Sequence, residues 1–94
     1  MIAIALLAGL LMPPAQYDHE PTRPYMVHYV ASAEITVRCR GLDLMVAQLR
    51  NPKARALGCT DLGTFDIWID NILNPGARDL VLRHEQAHVN GWRH

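Results

Sequence analysis

The stretch LRHEQAHVNGWRH, residues 82–94, carries residue types that can bind and use a metal ion. His84 and His88 are four residues apart, which places two side chains on one face of a helix, one turn apart. Two neutral imidazoles so placed can bind one Zn²⁺ at about 2.0–2.1 Å. Glu85 follows the first histidine, where its carboxylate can act as the general base that deprotonates a zinc-bound water.

A third ligand is required, because a catalytic zinc site has three protein ligands and one open position. Gly91 can adopt a positive φ and turn the chain out of the helix, which lets His94 return to the metal. Either the His94 ring or the terminal carboxylate on that residue can serve. The alternative is an amphipathic helix whose histidines face the core or solvent, but it leaves Gly91 and His94 unexplained.

Together these five residues form the string H-E-x-x-H-x-x-G-x-x-H, which resembles the extended zinc signature of the metzincins, within the zincin metallopeptidases. The resemblance covers residues 82–94 and implies a zinc-dependent peptidase acting on a peptide or protein substrate. It also implies that an outer strand binds the substrate by β-augmentation, a role suited to TFDIWID, residues 64–70. Metzincins continue into a Met-turn after the third histidine, and none of the four methionines here follows the motif. The resemblance therefore implies a minimal zincin-like domain without the C-terminal half.

The N-terminal segment MIAIALLAGLLM, residues 1–12, has no charged or polar side chain. It is shorter than the about 20 residues that span a bilayer and matches the apolar region of a secretory signal peptide. We interpret residues 1–15 as a signal peptide or N-terminal hydrophobic segment and residues 16–94 as the domain. Export to the periplasm or the medium is expected, with no membrane span in the mature chain; a buried helix or an uncleaved anchor are the alternatives.

The two cysteines, Cys39 and Cys59, give an even count in a small domain. In an exported protein such a pair predicts a disulfide, and a loop of about twenty residues would stabilise the fold by about 3 kcal/mol. In the cytosol the two would be buried thiols.

The charged residues indicate which partners to expect. Nine basic and nine acidic residues balance, and the scattered arginines form no basic stripe. We therefore expect no nucleic-acid partner.

Hydrophobic periodicity predicts the elements that must position the motif. Alternation in residues 25–39 predicts a strand, broken near residues 31–33, and residues 17–24 form a linker or extended arm. The remaining predictions are a helix at Leu42–Arg50, strands at Ala56–Thr60 and Thr64–Asp70 joined by a turn, and a helix at Pro75–Asn90 capped by Asn74.

This order predicts a small α+β domain, with a short antiparallel or mixed sheet and two helices that can cover one of its faces. Thr64–Asp70 is expected at or near the edge of the sheet. Two functions remain open. One is a zinc metallopeptidase with Glu85 as base; the other is a non-catalytic zinc-stabilised binding or structural module within a larger assembly. A partner chain that completes the substrate pocket would reconcile them.

Overall fold

The computed structural model describes residues 12–39 and 56–93. A 3₁₀ turn (Ala15–Tyr17) precedes three strands and two α-helices, which confirm the predicted α+β class. In chain order these are β1 (Met26–Val30), α1 (Ser32–Arg38), β2 (Gly58–Asp61), β3 (Asp66–Asp70) and α2 (Pro75–Val89). The helix predicted at Leu42–Arg50 and most of the apolar N-terminal segment lie outside the described residues.

The sheet is mixed, and its strand order is β1-β3-β2. β1 runs parallel to β3, with Val27 opposite Ile67, and β2 runs antiparallel to β3, with Thr60 opposite Ile67. β3 is therefore the central strand, so the prediction of an outer strand at Thr64–Asp70 is wrong. Because both of its edges are already hydrogen-bonded to neighbouring strands, β3 cannot bind an extended substrate by β-augmentation.

The second half of the strand predicted at residues 25–39 is a helix instead. Ile35 and Val37 suggested a strand face, yet Ile35 is 1 % exposed and Val37 is 64 % exposed. Ile35 and Cys39, four residues apart, both face the core, and Arg38 Nε donates to Glu34 Oε1 at 2.9 Å across one turn. The spacing of buried residues is therefore helical, which an alternation of only two apolar residues could not reveal.

The two helices of the described residues, α1 and α2, cover opposite faces of the sheet. The expectation that two helices cover one face included Leu42–Arg50, which lies outside the described residues. Ile67 and Ile69 point toward α2 and pack with Val81 and Val89. Trp68 points the other way, because successive strand side chains alternate between faces, and packs with Ile35, Cys39, Ala56 and Cys59. Alternation along the central strand thus divides the core into an α1 layer and an α2 layer.

The predicted disulfide between Cys39 and Cys59 is confirmed, with a Cα–Cα distance of 5.7 Å. It joins the end of α1 to β2, and both cysteines are buried. The bond therefore fastens the α1 layer to the sheet. Across residues 12–39 and 56–93, no helix has the length and apolar character needed to cross a membrane.

Gly58 marks the closest approach of β2 to α2. A Cβ added there would lie 2.8 Å from Val81 Cγ1 and 2.9 Å from the Trp68 carbonyl oxygen. The backbone oxygen cannot move aside without disturbing the β2–β3 ladder, so only glycine fits this contact. The missing side chain at Gly58 sets how near α2 lies to the sheet.

Gly58→Ala is expected to destabilise the fold by about 1–3 kcal/mol, because the new methyl group overpacks the interface between sheet and helix. Urea denaturation followed by circular dichroism measures the change. Gly76→Ala is the matched control: a Cβ at Gly76 meets only Asn74 Oδ1 at 3.6 Å, and alanine is the better helix former. Equal midpoints for Gly58→Ala and the parent protein would contradict this view of the interface.

Candidate metal centre

α2 carries the motif and begins and ends at defined caps. The Asn74 side chain accepts a hydrogen bond from the Ala77 N–H at 2.9 Å, and Pro75 opens the helix. At the other end the Gly91 N–H donates to the His88 carbonyl and the Trp92 N–H to the Ala87 carbonyl, both at 3.0 Å. This is a Schellman ending, with Gly91 in the left-handed region at a φ of 109°.

The rings of His84 and His88 contact each other through their Nε2 atoms. The two Nε2 atoms are 3.1 Å apart, and the residues are only 8 % and 5 % exposed. Two imidazole ligands of a tetrahedral zinc, each at about 2.0–2.1 Å, have their nitrogens about 3.3–3.4 Å apart. The buried pair therefore presents two nitrogens to one point at nearly the separation that a shared metal ion requires.

Trp92 fixes the protonation state of the second histidine. Its backbone oxygen lies 2.8 Å from His88 Nδ1. A carbonyl only accepts hydrogen bonds, so Nδ1 carries the proton, and in the neutral ring Nε2 presents its lone pair. The Trp92 indole also stacks on His88 at 5.2 Å and meets the His84 ring edge-on at 4.9 Å. Trp92 thus holds and covers the ring pair, a role that its sequence position did not indicate.

Glu85 points toward the sheet, where Thr60 of β2 holds its carboxylate. Thr60 Oγ1 donates to Glu85 Oε1 at 2.8 Å, and the two residues are 7 % and 6 % exposed. Sequence reasoning missed Thr60 as a functional residue. The residues on either side of Thr60 gave no signal for it; its place follows from its pairing with Ile67, whose side chain lies in the α2 layer.

The third predicted ligand, His94, lies outside the described residues. Within residues 12–39 and 56–93, no group of three or more His, Cys, Asp and Glu side chains could hold a metal ion. The described part of the chain therefore brings together a pair of candidate ligands, His84 and His88, whereas the carboxylate of Glu85 is bonded by Thr60. His28 lies elsewhere: it bonds Asp66 Oδ1 through Nε2 at 2.9 Å and stacks on Trp68.

The outward face of α2 binds the N-terminal arm, residues 17–24, and the adjoining Tyr25. Arg83 makes a two-point ion pair with Asp18, through Nε to Oδ1 at 3.1 Å and through Nη2 to Oδ2. Gln86 Nε2 donates to the Tyr25 hydroxyl at 3.1 Å. The arm is therefore packed on the helix that carries the motif and is not a loose linker.

Asn90 completes this contact one turn further along. Its Nδ2 donates to the backbone oxygens of Tyr17 at 2.9 Å and His19 at 2.8 Å. Since an amide nitrogen has two hydrogens, both are used. Arg83, Gln86 and Asn90 are three and four residues apart, so they form one polar stripe that holds the arm against α2.

Comparison with protein-family models, with curated proteins and with solved structures found no match in any of the three. The identification of the chain as a zincin-type metallopeptidase with a metzincin-like signature is therefore wrong. Two findings overturn it: no family or relative supports it, and the described residues contain no group of three or more His, Cys, Asp and Glu side chains that could hold a metal ion. The physical reason is that the resemblance rested on spacing within 13 residues, which a helix and a glycine stop produce locally, whereas the outer strand it implied is central.

The ion pair between arm and helix gives a pH-dependent prediction. The hydrogen bond from Arg83, followed by its positive charge, lowers the pKa of Asp18 below its ordinary value. A carboxyl whose pKa is depressed in the folded state stabilises the fold above its unfolded pKa, and this contribution is lost as the pH falls through the folded value. Asp18→Asn should therefore lower the Tm at pH 7, and the difference should be smaller at about pH 3, which lies below the ordinary aspartate pKa of about 3.9.

Thermal unfolding at both pH values measures this effect. Asp79→Asn is the matched control, because it removes the same charge from a residue with no ion pair among the described residues. A constant difference between Asp18→Asn and the parent protein at both pH values would show that the ion pair does not contribute.

Proposed function

We propose that the chain is a zinc-dependent hydrolase that cleaves peptide bonds, with Glu85 as its general base. One observation carries the proposal: the buried His84 and His88 rings direct their Nε2 atoms to within 3.1 Å of each other. The proposal depends on the chemistry of these residues and on no family relationship.

The two histidines fit a zinc ion in donor type, burial and protonation state. His84 Nε2 lies within hydrogen-bond distance of His88 Nε2, so a proton on the first can bridge to the lone pair of the second. Both lone pairs would be available to a bound metal ion. His84 and His88 would hold Zn²⁺, and His94 is the predicted third ligand. When bound, Zn²⁺ would supply a Lewis acid that polarises a carbonyl and acidifies water.

Glu85 supplies the proton transfer. It is adjacent to His84 in sequence, and Thr60 holds its Oε1. The carboxylate accepts a proton from the attacking water and returns it to the departing amine nitrogen, so the bond between carbonyl carbon and nitrogen breaks with protons balanced. Its burial limits competing hydrogen bonds from bulk water. The substrate is proposed to be an exposed peptide segment, and a partner chain is proposed to complete the pocket.

We also propose that the protein is exported. The Cys39–Cys59 disulfide supports this, because such bonds persist in oxidising compartments and are rare in the cytosol. The predicted signal peptide, residues 1–15, is consistent with the same destination.

Glu85→Gln is expected to retain zinc and lose cleavage by at least about a hundredfold, because the amide cannot accept the proton. His88→Ala should lose both zinc and cleavage. Zinc per mole of protein after dialysis against ZnCl₂, together with cleavage of casein before and after chelation, measures both properties. Because Trp92 stacks on His88, its fluorescence should also change as the metal binds.

His19→Ala is the matched control, since its ring bonds only the neighbouring Glu20 backbone oxygen among the described residues. It should retain both zinc and cleavage. If the parent protein binds no zinc, the proposal fails. If it binds zinc but cleaves nothing, also with candidate partners present, the protein is the non-catalytic zinc-stabilised module.

A further inference from the structure

The contact between Thr60 and Glu85 joins the motif helix to the sheet at the residue proposed to transfer the proton. Thr60 Oγ1 has two acceptors within reach, Glu85 Oε1 at 2.8 Å and the Glu85 backbone oxygen at 3.3 Å. A hydroxyl has one hydrogen to donate. The shorter contact, to the carboxylate, is the stronger one, because O–H···O hydrogen bonds have oxygen–oxygen distances of about 2.5–3.0 Å.

The position of Thr60 follows from the close approach at Gly58. Two residues along a strand advance about 6.7 Å, and four residues along a helix advance about 6 Å. The step from Gly58 to Thr60 on β2 therefore matches the step from Val81 to Glu85 on α2. Gly58 has no side chain to separate the β2 backbone from Val81. The next pair of facing residues, Thr60 and Glu85, therefore comes within hydrogen-bond distance.

If Thr60 only stabilised the fold, its hydroxyl would have no reason to bond the Glu85 carboxylate in preference to the backbone of α2. The Glu85 backbone oxygen belongs to the interior of α2, where helical hydrogen bonding already supplies a donor. Glu85 itself is buried, with 6 % of its surface exposed. A side chain with several rotatable bonds samples several rotamers unless a neighbour selects one. Thr60 selects one by binding Oε1.

We propose that Thr60 is a positioning residue, which holds the Glu85 carboxylate in the orientation required for proton transfer. This inference rests on the proposed function. The fixed Oε1 removes rotational freedom from the carboxylate before substrate arrives, so the base is preorganised and little entropy is lost in the reaction.

Thr60→Val tests the proposal, because valine keeps the shape and strand preference of threonine and removes only the hydroxyl. We expect kcat on casein peptides to fall about 10- to 100-fold. This is the range typical of residues that act by hydrogen-bonding to a functional side chain and orienting it. KM and zinc affinity should each stay within about threefold, since the histidines are untouched. Thr60→Ser, which retains the hydroxyl, should recover kcat to within about threefold of the parent protein.

Thr36→Val is the matched control. Thr36 also donates its hydroxyl to a backbone oxygen, that of Ser32 at 3.2 Å, but lies exposed on α1. Its kcat, KM and Tm should equal those of the parent protein. If Thr60→Val retains kcat within twofold while the parent protein cleaves, the positioning role is overturned and Thr60 is only structural.

A second measurement does not depend on turnover. The rotamer distribution of Glu85, from ¹³C side-chain couplings in labelled protein with and without ZnCl₂, should show one rotamer in the parent protein and averaging in Thr60→Val. One fixed rotamer in both overturns the proposal, whatever the activity. Averaging in Thr60→Val beside an inactive parent protein supports the orienting contact and overturns the hydrolase function instead.

Discussion

The close packing of α2 on β2 and β3 is the constraint on which the candidate metal centre depends. Gly58 lets the helix approach until Val81 contacts the strand backbone, and Ile67 and Ile69 fill the same layer. Only at this separation can a short threonine side chain reach a glutamate on the helix. Apolar packing thus sets the distances at which the polar groups act.

Two further contacts hold α2, one at its C-terminal end and one on its outward face. Beyond its last turn, the chain folds back so that Trp92 orders His88 and covers both rings. On the outward face, the stripe formed by Arg83, Gln86 and Asn90 binds the N-terminal arm. The helix is held from the sheet, from the arm and from its own C-terminal ending. Such support limits the motion of the histidine pair, which a preorganised site requires.

The failed family identification and the wrong position of β3 have a common origin. The spacing of the histidines, the glutamate and the glycine depends only on the helical repeat and on the glycine that ends the helix. Both are local features of the chain. Membership of a family, and the outer strand that it implied, concern pairing between distant parts of the chain. β3 is central because β1, some forty residues earlier, pairs with it in parallel, and nothing in the alternation of TFDIWID distinguishes one paired edge from two.

The sequence by itself determined what depends on contacts within a few residues or on composition. It predicted α2 with its Asn74 cap, the strand cores at residues 26–30, 58–60 and 66–70, the Cys39–Cys59 bond and the α+β class. Periodicity, capping and cysteine count are local or global properties that can be read without a fold. Tertiary structure alone decided the strand order, the helix at Ser32–Arg38, the arm on α2 and the hydrogen bond from Thr60 to Glu85. The strand order, the contact of the arm with α2 and the hydrogen bond join residues that are far apart in the chain. The helix α1 depends on tertiary packing, which buries Ile35 and leaves Val37 exposed.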